Sequence, residues 1–350
     1  MELFIFRRFE YERLHNCSLY DVDLIPLSER QHPKIGCLLI GMAVVMEVFN
    51  NQCVDSNLLY IPCIMSIWNR SSNQCYAFMC YIGIIDLIEI PISGALTGVM
   101  AIRGDVFCSH ADFIYVTGSF AFGLYCSVSL ASILLAFNRC TNILWPKFNE
   151  KFFRSDRIFF WLAIPSIYGF YCLMFCTPVK FSSYAVSWFN DPFAFYKESD
   201  SSGEYANVVQ IINNSMESVG LMFIYTLFCI LLGFQTTNIL AVQTVSNRQR
   251  RAQYRSFIQV FIISLVNMVA CTIYVLMNYV TLNKTLIVIG SFGWLFIHGI
   301  PPFIYLSLNN TIRKDIMQMF KLRSSTVPQV GSGIQPKQNI TDDHQANDTF

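Results

Sequence analysis

Long apolar runs alternate with short polar segments over residues 35–310 of the chain. The run 113–137 has 25 residues and no charged side chain. At a rise of 1.5 Å per residue, a helix of that length crosses a hydrocarbon core of about 30 Å. The pattern predicts an all-α membrane protein, a seven-transmembrane-helix bundle with spans at 35–68, 76–102, 113–137, 158–176, 218–242, 257–282 and 285–308.

The first of these spans is interrupted at residues 49–58. The apolar residues 35–48 and 58–68 are each too few to cross the membrane, and the residues between them are polar. Three explanations compete: a broken helix, a re-entrant pair, or an insertion of about ten residues. We favour the insertion, because irregular backbone exposed to lipid is excluded from the hydrocarbon.

The segments that flank the bundle are polar. Residues 1–34 are mixed in charge and are predicted to form an extracellular N-terminal segment. Apolar residues recur at helical spacing in 311–323, which predicts a short amphipathic helix at the membrane surface. The polar, Gly- and Pro-containing segment 324–350 is typical of a disordered cytosolic tail.

Lysine and arginine set the expected orientation. Ten of them lie in the loops after spans one, three and five, against four in the other three loops. The positive-inside rule then places the N-terminus outside and the C-terminus in the cytosol, although five basic residues before the first span argue weakly for the reverse. With this orientation the sequons at Asn16 and Asn213 lie outside and can be glycosylated.

Composition agrees with a membrane protein and disfavours other classes. Hydrophobic residues make up 54% and charged residues 13%, and the net charge of +1 gives no reason to expect a nucleic-acid partner. No nucleotide-binding, zinc-binding or hydrolase motif occurs. We therefore predict no enzyme, no catalytic residue, no metal site and no cofactor, and interpret most of the 13 cysteines as small apolar fillers.

Candidate chemistry lies within the second and third spans. Asp86 and Glu89 are three residues apart on one helix face, where an acid at the bilayer centre costs on the order of 2.5–3.5 kcal/mol. They are candidates for a polar network or an ion site; neighbouring Ser and Asn side chains that solvate an acid without any ion are an equally good explanation.

Small residues in the third span predict a central helix. Arg139 follows that span and is either a signalling residue or a plain interfacial anchor. Gly94 and Gly98 form a GxxxG that we interpret as a packing face.

Short stretches along most of the chain match one known family. They are Asn16–Ser18 with Asp23–Leu27, Leu59–Cys63, Tyr81–Asp86, Leu96–Gly98, Phe107–Ser109, Leu135–Cys140 and Ser187–Phe189. Together these stretches resemble the nematode serpentine receptor class T, a family of chemoreceptors that are G-protein-coupled receptors. The family lacks a counterpart of segment 49–58, which agrees with an insertion there.

The resemblance implies a chemosensory receptor in the plasma membrane, including that of a sensory cilium. Its partners would be an external small-molecule ligand, a heterotrimeric G protein and the lipid bilayer. The ligand would bind among spans three, five, six and seven, under an aromatic outer loop. Two alternatives stay open. The first is a non-signalling or defective membrane protein, because of the insertion. The second, a transporter, is less favoured because the sequence shows no internal repeat of the kind that many transporters have.

The resemblance also assigns roles to individual residues. Asn138, Arg139 and Cys140 stand where rhodopsin-like receptors have the acid–Arg–Tyr motif, so Arg139 would meet the G protein. Pro302 and Tyr305 resemble the PxxY motif of the seventh helix, an activation switch; a simple packed kink is the alternative.

Further roles concern an ion site and a disulfide. Asp86 resembles the acid that binds sodium in many such receptors, although Pro301 replaces the expected Asn of the seventh helix. Cys108 stands at the outer end of the third span, where the family resemblance implies a disulfide to Cys17. Cys53 is a rival partner if the insertion faces outside, and both cysteines staying free is a further alternative.

Overall fold

A computed structural model describes residues 1–19, 22, 25–48, 65–68, 74–154, 157–195, 205–239, 247–280, 282–308, 312–314 and 317. Its helices are α1 (Glu2–Phe6), α2 (Arg8–Leu14), α3 (Leu27–Arg30), α4 (Pro33–Val48), α5 (Gln74–Ile90), α6 (Thr97–Arg103), α7 (Ala111–Leu144), α8 (Pro146–Phe152), α9 (Ile158–Phe175), α10 (Val208–Ile239), α11 (Asn247–Leu276), α12 (Lys284–Gly299) and α13 (Pro301–Leu308). Short 3₁₀ turns occur at Cys17–Leu19 and Phe107–Ser109. The strands are β1 (Lys180–Ser182) and β2 (Ser187–Phe189).

Among the described residues, four helices are long and apolar enough to cross a membrane: Gln74–Arg103, Ala111–Asn142, Ile158–Phe175 and Val208–Leu231. Two shorter apolar helices, Phe261–Leu276 and Lys284–Gly299, complete the later part of the bundle. The first span is described only over 33–48 and 65–68, so the predicted insertion at 49–58 lies outside the described residues. So does the predicted tail at 324–350. Within the predicted helix 311–323, residues 312–314 and 317 are helical.

Helix α7 is central to the bundle, as its small residues predict. It packs against α5, α9, α10 and strand β1. A Cβ at Gly123 would lie 2.9 Å from the Gly169 carbonyl oxygen of α9, and a Cβ at Gly118 would collide with the Val179 carbonyl group. Only glycine allows these close approaches, because every other residue has a Cβ.

The GxxxG of the second span is a packing face within the chain, as predicted. Gly98 faces the Gly36 carbonyl of α4, with a hypothetical Cβ 2.6 Å from its oxygen, and Gly94 faces Ala43. Between α5 and α6, Pro91–Leu96 forms a π-helical turn. Pro91 has no N–H to donate, so the regular hydrogen-bond ladder is interrupted there.

Several predicted boundaries are shifted. Helix α10 begins at Val208, ten residues before the predicted 218, and α11 begins at Asn247 rather than 257. The seventh span is two helices, because α12 ends at Gly299 and α13 starts at Pro301. Pro146 at the first position of α8 likewise follows the end of α7.

Residues 177–195 and 205–217, between the fourth and fifth predicted spans, contain ordered structure. Strands β1 and β2 pair antiparallel, with Phe181 opposite Trp188. Trp188 is buried, and its Nε1 donates to Thr97 Oγ1 at 3.0 Å. The Ser291 hydroxyl of α12 donates to the Val186 carbonyl at 2.8 Å. The hairpin therefore plugs one end of the bundle, which we call the hairpin end; the opposite end is the Arg139 end.

Candidate ligand cavity and signalling residues

A cavity opens beneath the hairpin, between α7, α10, α11 and α12. It contains about 410 Å³ of empty space, part of which is open solvent. Its walls are mainly aromatic, and the lining includes Phe122, Tyr125, Trp188, Tyr274 and Trp294. This is the place between spans three, five, six and seven at which the resemblance puts a ligand.

A buried carboxylate lies next to this cavity, behind Tyr125 and Cys271 of its wall. Glu217 of α10 is 0% exposed. Its Oε2 accepts hydrogen bonds from Tyr125 at 2.9 Å and Ser129 at 2.6 Å, and its Oε1 accepts from Asn267 at 2.8 Å. The Cys271 thiol approaches Oε2 at 3.6 Å. Four donors thus converge on one carboxylate, the arrangement that a buried anion needs.

A second cavity lies toward the Arg139 end. It contains about 510 Å³ of empty space, part of which is open solvent, and its lining includes Asp86, Arg139, Tyr225, Asn267 and Tyr305. Asn267 lines this second cavity and also donates to Glu217. Because Tyr125 lines the first cavity and contacts the same carboxylate, one hydrogen-bond network touches both cavities.

Asp86 and Glu89 lie in the core, and His298 joins them. His298 Nδ1 lies 2.7 Å from Asp86 Oδ1, and the two side chains are 0% and 1% exposed. Glu89 is also fully buried, and neither of its carboxylate oxygens has a hydrogen-bond partner among the described residues. The sequence leaves open whether Asp86 belongs to a polar network or ion site or is solvated by neighbouring Ser and Asn side chains; the structure gives it an imidazole partner from α12.

The residues proposed for G-protein coupling lie at the end of α7. Asn138 is buried, and its Nδ2 donates to Asn149 Oδ1 of α8 at 3.1 Å. Arg139 is half-buried, with Nη2 3.1 Å from Met79 Sδ. Cys140 is buried and packs against Phe228. The side chains of Asn138 and Asn149 therefore link α7 to α8 through an amide pair.

Pro302 and Tyr305 lie on α13 at the same end. Both are buried, and Tyr305 belongs to the apolar cluster that also includes Phe78 and Phe153. Its place in the lining of the second cavity brings it to the same space as Arg139.

The N-terminal segment covers the hairpin end and is linked to it by a disulfide. Cys17 and Cys108 form a disulfide, with their Cα atoms 5.5 Å apart. Tyr11 is buried and donates to Asp112 of α7 at 2.8 Å. The Tyr205 hydroxyl donates to the Leu14 carbonyl at 2.7 Å. Residues 1–19 are thus packed on the bundle rather than extended into solvent.

Two basic side chains, Lys180 of the hairpin and His15 of the N-terminal segment, are buried at the hairpin end. Lys180 is 1% exposed, and its Nζ donates to the Asn190 carbonyl at 2.6 Å and lies 5.5 Å from the Tyr205 ring centroid. Burial lowers the pKa of Lys180 to about 7, against the smaller opposing effect of Asp191. Burial, and then the charge of Lys180, lowers the pKa of His15 to about 3.

The two predicted glycosylation sites differ. Asn16 is exposed, and its Oδ1 accepts from the Ser18 backbone N–H at 2.9 Å. Asn213 lies within α10 and is buried, donating to Ser129 at 3.0 Å and accepting from Tyr168 at 3.2 Å. The expectation that Asn213 is available for a glycan is therefore contradicted by the fold, because its side chain faces the bundle.

Sequence reasoning missed Glu217, Tyr125 and Lys180. The predicted fifth span begins at residue 218, where the apolar run starts, and so leaves Glu217 outside the helix; the i, i+4 spacing of Asn213 and Glu217 is the pattern that extends the helix and gives it a polar face. The aromatic and Ser residues at 181–189 are the sequence feature that indicates the hairpin in which Lys180 is buried.

Comparison with known proteins agrees with this architecture. The family model of the serpentine type 7TM GPCR chemoreceptor Srt matches residues 1–329. The chain is 22% identical over 249 residues to serpentine receptor class T-55 of Caenorhabditis elegans, an alignment that covers 71% of this chain and 66% of that relative.

Proposed function

Because the chain belongs to the Srt family of serpentine seven-transmembrane chemoreceptors, we propose that it is a plasma-membrane receptor that detects an external small molecule and activates a heterotrimeric G protein. The observation that best supports this proposal is the Glu217 network. It contacts the aromatic cavity beneath the hairpin through Tyr125 and the Arg139-side cavity through Asn267.

Such a network offers a physical route for coupling. A ligand that moves Tyr125 changes a hydrogen bond to Glu217, and the same carboxylate holds Asn267. A ligand shifts a two-state equilibrium only by its differential affinity for the two states. The buried Glu217 carboxylate favours two distinct conformations over a continuous range, since any intermediate that loses one of its hydrogen-bond donors is costly in a low-dielectric core.

The Arg139 end is the side proposed to face the cytosol. Helix α8 at that end exposes Lys147 and Lys151, as the positive-inside rule expects of a cytosolic loop. Asn16, at the other end, would then be glycosylated. Replacing Asn16 with Gln should remove a glycan from protein made in eukaryotic cells, whereas Asn213→Gln should leave the glycan pattern unchanged. An unchanged glycan pattern in the Asn16 variant would contradict the assignment of this end to the outside.

Coupling is tested with the full chain in nanodiscs and a panel of purified heterotrimers representing each G-protein class. The measured quantity is the rate at which each heterotrimer releases GDP as the concentration of the nanodisc-embedded chain increases. We expect faster release from at least one class, lost in Arg139→Ala and kept in Lys151→Ala, which removes an exposed charge nearby. Unchanged release from every heterotrimer, or full activity of the Arg139 variant, would refute the proposal.

A further inference from the structure

Gln210 places an unused hydrogen-bond acceptor at the ligand cavity. The side chain lines the cavity and is 7% exposed. Its Oε1 is buried and has no hydrogen-bond partner among the described residues. Its backbone N–H is satisfied, since it donates to Asn207 Oδ1 at 2.9 Å. A buried acceptor without a donor is unfavourable, so an occupant that supplies a donor gains affinity there.

Most other polar groups of the cavity wall are already paired. Among the described residues, the Tyr274 hydroxyl is a second buried lining group without a hydrogen-bond partner, but a hydroxyl can donate as well as accept. The Tyr125 hydroxyl lies 2.9 Å from both Asn214 Oδ1 and Glu217 Oε2. The Cys271 thiol lies 3.0 Å from that hydroxyl. The Tyr125, Asn214 and Cys271 groups serve the network beside the cavity, so among the described lining residues Gln210 Oε1 is the buried group that can only accept and has no donor.

The wall also disfavours a charged occupant. None of the cavity's lining residues is charged. The nearest carboxylate in the network, Glu217, already accepts from three hydroxyl and amide donors and contacts a thiol. A cation or anion would lose its hydration here without gaining an unpaired counter-ion. Aromatic walls from Phe122, Trp188 and Trp294 instead suit an apolar or aromatic body.

We propose that this cavity takes a small uncharged molecule, mainly apolar or aromatic, whose O–H or N–H group donates to Gln210 Oε1. The inference rests on the proposed receptor function, since it names the ligand class of the same site. Gln210 is then a specificity-determining residue. An analogue that lacks the O–H or N–H donor would bind more weakly, because it would leave Gln210 Oε1 buried without a hydrogen bond.

Three probes of nearly equal shape test the proposal: benzyl alcohol, ethylbenzene and the benzylammonium ion. They differ only in a terminal hydroxyl, methyl or ammonium group. Apparent dissociation constants come from the rise of the unfolding midpoint of the nanodisc-embedded chain with free probe concentration. An apolar cavity without an acceptor would favour ethylbenzene, since the alcohol loses hydration on entry.

For the unmodified chain we expect benzyl alcohol to bind roughly tenfold more tightly than ethylbenzene, and benzylammonium to bind most weakly. Gln210→Met, of similar volume, should reverse the order of the first two. Thr272→Val, at an exposed position on α11 next to Cys271, controls for probe dissolved in the lipid and should keep the original order. If Gln210→Met does not fold, Gln210→Glu should instead shift the preference to benzylammonium.

Three results would overturn the inference: tightest binding of benzylammonium or ethylbenzene to the unmodified chain, no probe binding up to solubility, or an unchanged order in Gln210→Met. Because binding is measured without G protein, it is separable from signalling. Probe selectivity without any GDP release would keep this inference and refute the proposed coupling.

Discussion

Replacing Lys180 with Met should alter the pH dependence of stability. The Lys180 amine is buried, with one carbonyl acceptor and an aromatic face near it. Its pKa falls from 10.5 to about 7 because burial disfavours the charged form. One pKa unit corresponds to about 1.4 kcal/mol, so the full difference is about 5 kcal/mol of folding free energy.

The sign follows from proton binding. Between pH 7 and 10.5 the unfolded chain holds the lysine proton and the folded chain does not, so the free energy of unfolding rises with pH across that window. Below pH 7 both states hold the proton, and the cost of burying the charge is present in full. The hairpin end should therefore be least stable at or below neutral pH and gain stability in alkali.

The assay is the thermal unfolding midpoint of the nanodisc-embedded chain, measured from pH 6 to pH 10. Roughly 2 °C per kcal/mol is expected for a domain of this size, so the Lys180 contribution is measurable. Lys180→Met should flatten the rise and raise the midpoint at pH 6. Lys284→Met is the matched control, because Lys284 is exposed at the same end, over the Tyr184 ring. An identical pH slope in Lys180→Met and the unmodified chain would show that burial does not shift this amine.

Two other substitutions test the packing of the bundle. His298→Leu leaves Asp86 buried without its imidazole and should cost about 3–5 kcal/mol, whereas combining it with Asp86→Leu should regain much of that loss. If thermal unfolding shows that the loss in the double variant equals the sum of the losses in the two single variants, the two side chains are not coupled. Gly118→Ala should push the hairpin away from α7 and lower the free energy of unfolding by about 1–3 kcal/mol. Gly220→Ala is the control and should change the unfolding midpoint little, because the nearest neighbour of its Cβ would be 4.0 Å away. An unchanged midpoint in Gly118→Ala would contradict the close contact.

The sequence predicts the bundle well because its strongest pattern, long uncharged runs, is dictated by the bilayer. The third span illustrates this: its length and small residues indicate a central membrane helix, and α7 is one. Where α10 begins was less predictable. Polar residues Asn213 and Glu217 look like loop residues until their common face and their partners on α7 are known.

The candidate site was predictable only in part. Asp86 stands out as an acid in an apolar run, but nothing local pairs it with His298, which lies 212 residues away. The cavity is formed by helices distant in the sequence and by the hairpin, so no single stretch indicates it. No local sequence pattern marks Gln210, since its proposed role depends on the lack of a hydrogen-bond donor for its Oε1 among the described residues.

The contact between α4 and α6 has an evolutionary consequence. Gly36 and Gly98 meet backbone to backbone, each with the carbonyl oxygen of the other within 2.6 Å of a would-be Cβ. A change at one position of a side-chain contact can be rescued by a smaller residue at the other, and such pairs covary. No residue is smaller than glycine, so rescue is impossible here. Among relatives that keep this helix crossing, the two positions should each stay glycine independently, without any covariation between them.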